Sequence, residues 1–143
     1  MIPQLSNSEE MEKLAQDFVK NLEVNKDSAT VVGLYGDLGA GKTFFTQSVA
    51  RELGIQESIV SPTFVIEKIY ELKDSKFSHL IHIDAYRIEK EIEMLNLGWK
   101  EIIADPKNLI CIEWPEKIAE IIPAHIMLKF EHVSENERKI SIA

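Results

Sequence analysis

The chain has little cysteine, little positive charge and no long apolar run, and each shortage excludes a class of protein. Its 143 residues include one cysteine, so no internal disulfide can form and nothing indicates an oxidising compartment. No segment approaches the roughly 18 consecutive apolar residues of a membrane span, so we expect no membrane association. The amino-terminal segment carries acidic residues instead of a basic stretch before an apolar run. We therefore expect no secretory signal and a cytoplasmic protein.

Positive charge is scarce, since the chain has 16 lysines and arginines and 24 acidic residues. Its net charge is therefore −8. A protein that binds nucleic acid by itself usually carries a basic patch. The longest basic run here is the pair Arg138-Lys139. We therefore expect any contact with RNA to be made through a partner, although the negative charge is equally consistent with a role in solubility alone.

The chain contains enough apolar residues for one core, since 45% of it is hydrophobic, and we treat residues 1–143 as a single domain. The apolar periodicity predicts helices over 8–24, 43–53 and 88–104, the last interrupted near Gly98. Predicted strands cover 2–5, 30–35, 64–72, 77–84, 109–113, 125–132 and 138–142.

Two of these strands constrain the topology. Only four residues separate 64–72 from 77–84, which is too short for a helical crossover, so the pair is predicted to form an antiparallel hairpin. The last two strands are predicted to form a closing hairpin around a polar turn. The predicted fold class is therefore α/β, a P-loop NTPase-like mixed sheet, parallel and antiparallel, with helices on its faces.

Residues 36–43 read GDLGAGKT and satisfy every position of the phosphate-binding P-loop pattern. An apolar strand precedes the loop and a helix follows it, which is the setting this pattern requires. Backbone amides of such a loop, with the positive end of the helix, bind phosphate. Lys42 is predicted to reach the β- and γ-phosphates and Thr43 to bind Mg²⁺. The predicted nucleotide-binding residues in this segment are Gly36, Gly39, Ala40, Gly41, Lys42, Thr43 and Phe44.

Two acidic residues each end an apolar strand, Asp84 in LIHID and Glu113 in LICIE. A P-loop site needs an acid at such a position to hold the metal or its water shell. We expect one of the two to serve Mg²⁺ and the other to orient or deprotonate the attacking water. The pattern alone leaves their order open.

Three smaller observations complete the local interpretation. His82 lies two residues before Asp84 and shares its face of the strand, but two ligands do not make a metal site, and we expect a structural or supporting histidine. Cys111 lies in an apolar run and is expected in the core. No Asn-Lys-x-Asp element follows the loop to recognise guanine, which favours ATP as the nucleotide.

Four motifs together resemble the TsaE (YjeE) family: the P-loop, SPTF at 61–64, HIDAYR at 82–87 and IEWPE at 112–116. Their order and spacing cover essentially the whole chain. The resemblance implies an ATPase that uses ATP and Mg²⁺ and acts with the TsaB and TsaD proteins. These partners transfer a threonylcarbamoyl group to the tRNA adenosine beside the anticodon, so the chain itself would meet tRNA only through the complex.

The resemblance also implies roles for individual residues. It makes Glu113 a metal acid together with Thr43, and Asp84 a further essential acid. Thr63 would sense the γ-phosphate, so the implied catalytic residues are Lys42, Thr63, Asp84 and Glu113. Arg138 would approach the nucleotide, although the usual Gly-Arg of the closing hairpin is missing here. Phe44 also stands where a second threonine is common, and Trp114 would be a nucleotide contact, a partner contact or a core residue.

Two other functions are compatible with a P-loop. One is a small-molecule kinase, which generally needs a lid with arginines to exclude water. Arg51 and Arg87 are the only arginines between the loop and Arg138, so the chain has few arginines for such a lid. The other is an assembly protein gated by nucleotide, in which hydrolysis is incidental.

Overall fold

The fold was analysed in a computed structural model, which describes residues 4–6, 8–37, 41–56, 66–134 and 137–142. Its centre is a seven-stranded sheet with the strand order β1-β7-β6-β2-β5-β4-β3. The strands are β1 Gln4–Ser6, β2 Thr30–Tyr35, β3 Glu67–Glu71, β4 His79–Asp84, β5 Asn108–Glu113, β6 Ile126–Ser134 and β7 Glu137–Ile142.

The sheet is mixed, as predicted. Strands β6, β2, β5 and β4 are parallel neighbours, whereas β3 pairs antiparallel with β4, and β7 pairs antiparallel with both β6 and β1. Both predicted hairpins are therefore confirmed. The carboxyl ends of β2, β5 and β4 lie at one edge of the sheet, which is where ligands bind in open α/β sheets.

Helices cover both faces: α1 Ser8–Asn21, α2 Lys42–Glu52, α3 Ile92–Leu95, α4 Trp99–Ala104 and a 3₁₀ helix at Pro115–Ile118. The helix predicted over 88–104 is wrong in its first four residues, whereas its predicted interruption is confirmed. The Glu93 carboxylate accepts hydrogen bonds from the backbone N–H groups of Glu89 and Lys90, so helix begins only after them. Gly98 lies between α3 and α4, at the predicted interruption.

Alternate residues of each central strand enter two separate cores, because successive strand side chains point to opposite faces. Leu34, Leu109 and Cys111 pack with the residues of α1 and α2, whereas Ile83 and Ile112 pack with those of α3, α4 and the 3₁₀ helix. Cys111 is fully buried, as expected. Within the described ranges, no helix combines the length and the apolar character that crossing a membrane requires.

Candidate nucleotide-binding site

The loop after β2 begins in a conformation that excludes other residues. Gly36 has φ +145°, and a Cβ atom there would lie 2.5 Å from the backbone oxygen of Phe130 on the neighbouring β6. Only glycine permits both the dihedral angle and the close approach. The loop returns at Gly41, directly before α2. Gly39 and Ala40 lie outside the described residues, so their predicted contacts stay predictions.

Lys42 opens α2, and its ammonium group turns back into the site. The Nζ atom donates a hydrogen bond to the backbone oxygen of Gly36 and lies 3.7 Å from the centroid of the Trp114 ring. Burial lowers the pKa of Lys42 below its ordinary value. Carboxylates nearby act in the opposite direction without cancelling this effect. They belong to Glu113, Glu116, Asp84 and Asp37.

Thr43 lies beside one of the two predicted acids. Its hydroxyl group is 3.2 Å from Oε1 and 3.4 Å from Oε2 of Glu113, the last residue of β5. Asp84 ends the neighbouring β4 and is the register partner of Glu113. One Asp84 oxygen accepts a hydrogen bond from the backbone N–H of Tyr86. The structure thus brings both acids to the edge where the P-loop lies.

His82 also reaches this cluster, from two residue pairs deeper in the sheet. Its Nε2 atom is 2.7 Å from Oε2 of Glu113, and both side chains are buried. The partner of His82 is therefore an acid 31 residues downstream. Sequence reasoning missed this pair because His82 and Glu113 meet only through the parallel register of β4 and β5.

Trp114 lies beside Lys42 and also packs against the core, and its roles as a nucleotide or partner contact stay predictions. The residue is half-buried and has the left-handed backbone angle φ +59°. Its ring contacts the Lys42 ammonium. It also packs against the ring of Tyr86, with 5.2 Å between the two ring centroids. Tyr86 was not predicted as a site residue. Its place in the HIDAYR motif, two residues after Asp84, was the available signal.

Three predicted residues are not brought to the site by the described contacts. Thr63 lies outside the described residues. Arg138 is placed only by its backbone, on β7, where it pairs with Ser6 and His132. The half-buried Phe44 has its ring 5.9 Å from the guanidinium carbon of Arg51.

The residues present fit a magnesium ion. Thr43 and Glu113 offer hydroxyl and carboxylate oxygens side by side, the hard ligands that Mg²⁺ prefers. Within the described ranges, no group of three or more histidine, cysteine, aspartate and glutamate residues is arranged to hold a metal. Mg²⁺ bound with a nucleotide takes one or two protein ligands and fills its remaining positions with water and phosphate.

A parallel strand leading into a glycine loop, a helix that starts with Lys and Thr, and an acid on the adjacent strand define a P-loop NTPase-like domain. Comparison with known proteins then identifies a family within this class. The profile of the family described as "Threonylcarbamoyl adenosine biosynthesis protein TsaE" matches residues 5–140. The chain belongs to the TsaE family.

Individual relatives agree with this assignment. The chain is 39% identical over 140 residues to the tRNA threonylcarbamoyladenosine biosynthesis protein TsaE of Rickettsia felis, covering 96% of this chain and 77% of the relative. The Aquifex aeolicus protein of the same name is 33% identical, with coverage of 96% and 92%. The crystal structure of Bacillus subtilis YdiB has a TM-score of 0.74 at 30% identity, covering 99% of this chain and 83% of that one.

Proposed function

We propose that this chain is a Mg²⁺-dependent ATPase that supports threonylcarbamoyladenosine modification of the tRNA adenosine beside the anticodon, together with TsaB and TsaD. Membership of the TsaE family and the names of its relatives support the pathway. The observation that carries the ATPase is the convergence of Lys42, Thr43 and Glu113 at one end of the sheet. Contact with tRNA would be made through the complex, because the chain is acidic.

The charges of the site support a need for a divalent cation. Lys42 is surrounded by four carboxylates within electrostatic range, so the site carries excess negative charge. A triphosphate without a metal would be repelled by these groups, and the repulsion is strong where water is partly excluded. Bound Mg²⁺ would neutralise charge on the phosphates and on Glu113.

Each polar residue of the site then has a distinct task. The Lys42 ammonium would exchange its present contacts for phosphate oxygens. Thr43 and Glu113, already in contact, would hold the metal. That contact leaves Asp84 as the residue that orients the attacking water. Thr63 as γ-phosphate sensor and nucleotide contacts from Gly39, Ala40 and Arg138 complete the proposal.

Phosphate release from ATP, measured with and without Mg²⁺, tests this function. Glu113→Gln keeps the size of the side chain but removes its charge, so hydrolysis should fall by about 100-fold, the usual effect of losing one such group. Glu71→Gln is the matched control, because Glu71 is an exposed acid on β3. Hydrolysis that needs no Mg²⁺, or that survives Glu113→Gln unchanged, would refute the proposed metal site, and a wild type that releases no phosphate would refute the ATPase.

A further inference from the structure

The proposed function gives no task to His82, although this polar residue is fully buried beside the site. Its side chain has 0% exposure, and its Nε2 atom lies 2.7 Å from Oε2 of Glu113. Its second ring nitrogen, Nδ1, is also buried and has no hydrogen-bond partner among the residues that the structure describes. A buried polar group with an unused nitrogen is costly and calls for an explanation.

A Glu113 that holds a metal must be ionised, and this requirement of the proposed function fixes which nitrogen of His82 carries the proton. An ionised carboxylate accepts hydrogen bonds and cannot donate them, so Nε2 must be the donor. The lone pair is then on Nδ1. This tautomer is also the less costly one, because a proton on Nδ1 would be a buried donor without an acceptor among the described residues.

The contact restrains the carboxylate that faces Thr43. Glu113 is the last residue of its strand, and it is buried. His82 comes from the neighbouring strand and lies on a rigid, buried segment of β4. A hydrogen bond from Nε2 to Oε2 fixes the rotation of the carboxylate, and Oε1 then lies 3.2 Å from the Thr43 hydroxyl.

We propose that His82 is a positioning residue, which holds the Glu113 carboxylate against Thr43 in the orientation that binds the metal. This inference rests on the proposed function, since it assigns a partner to the metal acid. Residues that orient a metal ligand in this way typically change metal affinity by about 10- to 100-fold when they are replaced.

Two substitutions of similar length separate positioning from packing. His82→Gln retains a side-chain N–H donor near the position of Nε2, whereas His82→Met fills similar space without a donor. The readout is the affinity for a fluorescent, non-hydrolysable ATP analogue, measured in EDTA and in Mg²⁺. Binding rather than turnover is measured, so the result does not depend on the rate of hydrolysis.

His82→Met should reduce the gain in affinity on adding Mg²⁺ by about tenfold or more and leave the affinity in EDTA within about twofold of the wild type. His82→Gln should recover most of that gain. A His82→Met variant with the full gain in Mg²⁺ would overturn the inference while leaving the proposed function intact. A wild-type protein without any gain in Mg²⁺ would overturn both.

A second measurement is made on the wild-type protein, and it tests the hydrogen bond that the inference requires even where His82→Met does not fold. Long-range ¹H–¹⁵N NMR spectra report which nitrogen of each of the four histidines is protonated. His82→Gln assigns the signal by its disappearance. The inference predicts an Nε2-protonated tautomer for His82, and an Nδ1-protonated one would overturn it.

Discussion

Lys42 is the residue on which the site depends most directly, and it is held by contacts that a phosphate would replace. Its ammonium is buried against Gly36 and the Trp114 ring, at the cost of a lowered pKa. A buried charge of this kind is disfavoured until a ligand pairs with it. The P-loop pattern predicts that Lys42 binds phosphate, and the structure places its ammonium group beside Gly36 of that loop. The contact with Trp114 was not predictable, because it depends on the left-handed turn after Glu113.

Lys42→Met should therefore separate stability from binding. ATP affinity is expected to fall by about 10- to 100-fold, since hydrogen bonds to charged groups contribute about 1.5–3 kcal/mol. The Tm without nucleotide should stay level or rise at neutral pH, because the folded state binds this proton more weakly than the unfolded chain. Calorimetric titration and thermal melts provide both values. Lys68→Met, at an exposed position, is the control, and equal ATP affinity in the two variants would contradict the assignment.

The buried Cys111 thiol makes the stability of the protein depend on pH. Burial, together with the nearby charge of Glu113, raises the pKa of its thiol from 9.0 to about 12. The folded state thus keeps the thiol neutral, and the stability it contributes is complete below pH 9 and is lost as the pH rises towards 12. The loss per pH unit can reach about 1.4 kcal/mol for one proton.

Urea denaturation of the wild type and of Cys111→Ala across this range isolates the thiol. The difference between their free energies of unfolding should be constant below pH 9 and should shrink above it. A difference that stays constant up to pH 11 would show that the thiol does not resist ionisation in the folded protein.

At the scale of elements, the strand β2, the glycine loop and α2 form the unit that was best predicted from sequence. The strand bounds agree with the prediction, and the helix begins one residue earlier than expected. Local signals were sufficient here, because an apolar run, a glycine pattern and a helical stripe follow one another directly. The helix predicted over 88–104 was less accurate at its start, because the Glu93 carboxylate caps the N–H groups of Glu89 and Lys90 ahead of the first helical turn.

The junction of β2 with the loop can be tested through two glycines. Gly36→Ala places a Cβ atom against the backbone oxygen of Phe130, whereas Gly54→Ala meets no atom within 4 Å. Both positions have positive φ, so both variants carry the strain of a left-handed residue. The clash at position 36 should make Gly36→Ala lose about 1–3 kcal/mol more free energy of unfolding than Gly54→Ala. Equal losses in urea denaturation would indicate that β6 can move away from the loop.

At the scale of the whole molecule, the fold class and the order of the motifs were accessible from sequence, but the connections between distant segments were not. Asp84 and Glu113 were recognised as strand ends without their register. The register makes them neighbours, and it also brings His82 to Glu113 and Tyr86 to Trp114. Periodicity describes each segment alone and contains no information about which strands pair.

The whole-molecule account is that ATP turnover in this chain sustains tRNA modification by its partners. The most direct test is the yield of threonylcarbamoyladenosine per TsaB–TsaD complex, measured with tRNA in excess and with either the wild-type chain or Glu113→Gln. The account predicts many modifications per complex with the wild type and ATP, and about one or fewer with Glu113→Gln or without this chain. Equal yields in all three reactions would contradict it. Full yield with Glu113→Gln, lost only when the chain is omitted, would make the protein a nucleotide-gated assembly factor instead.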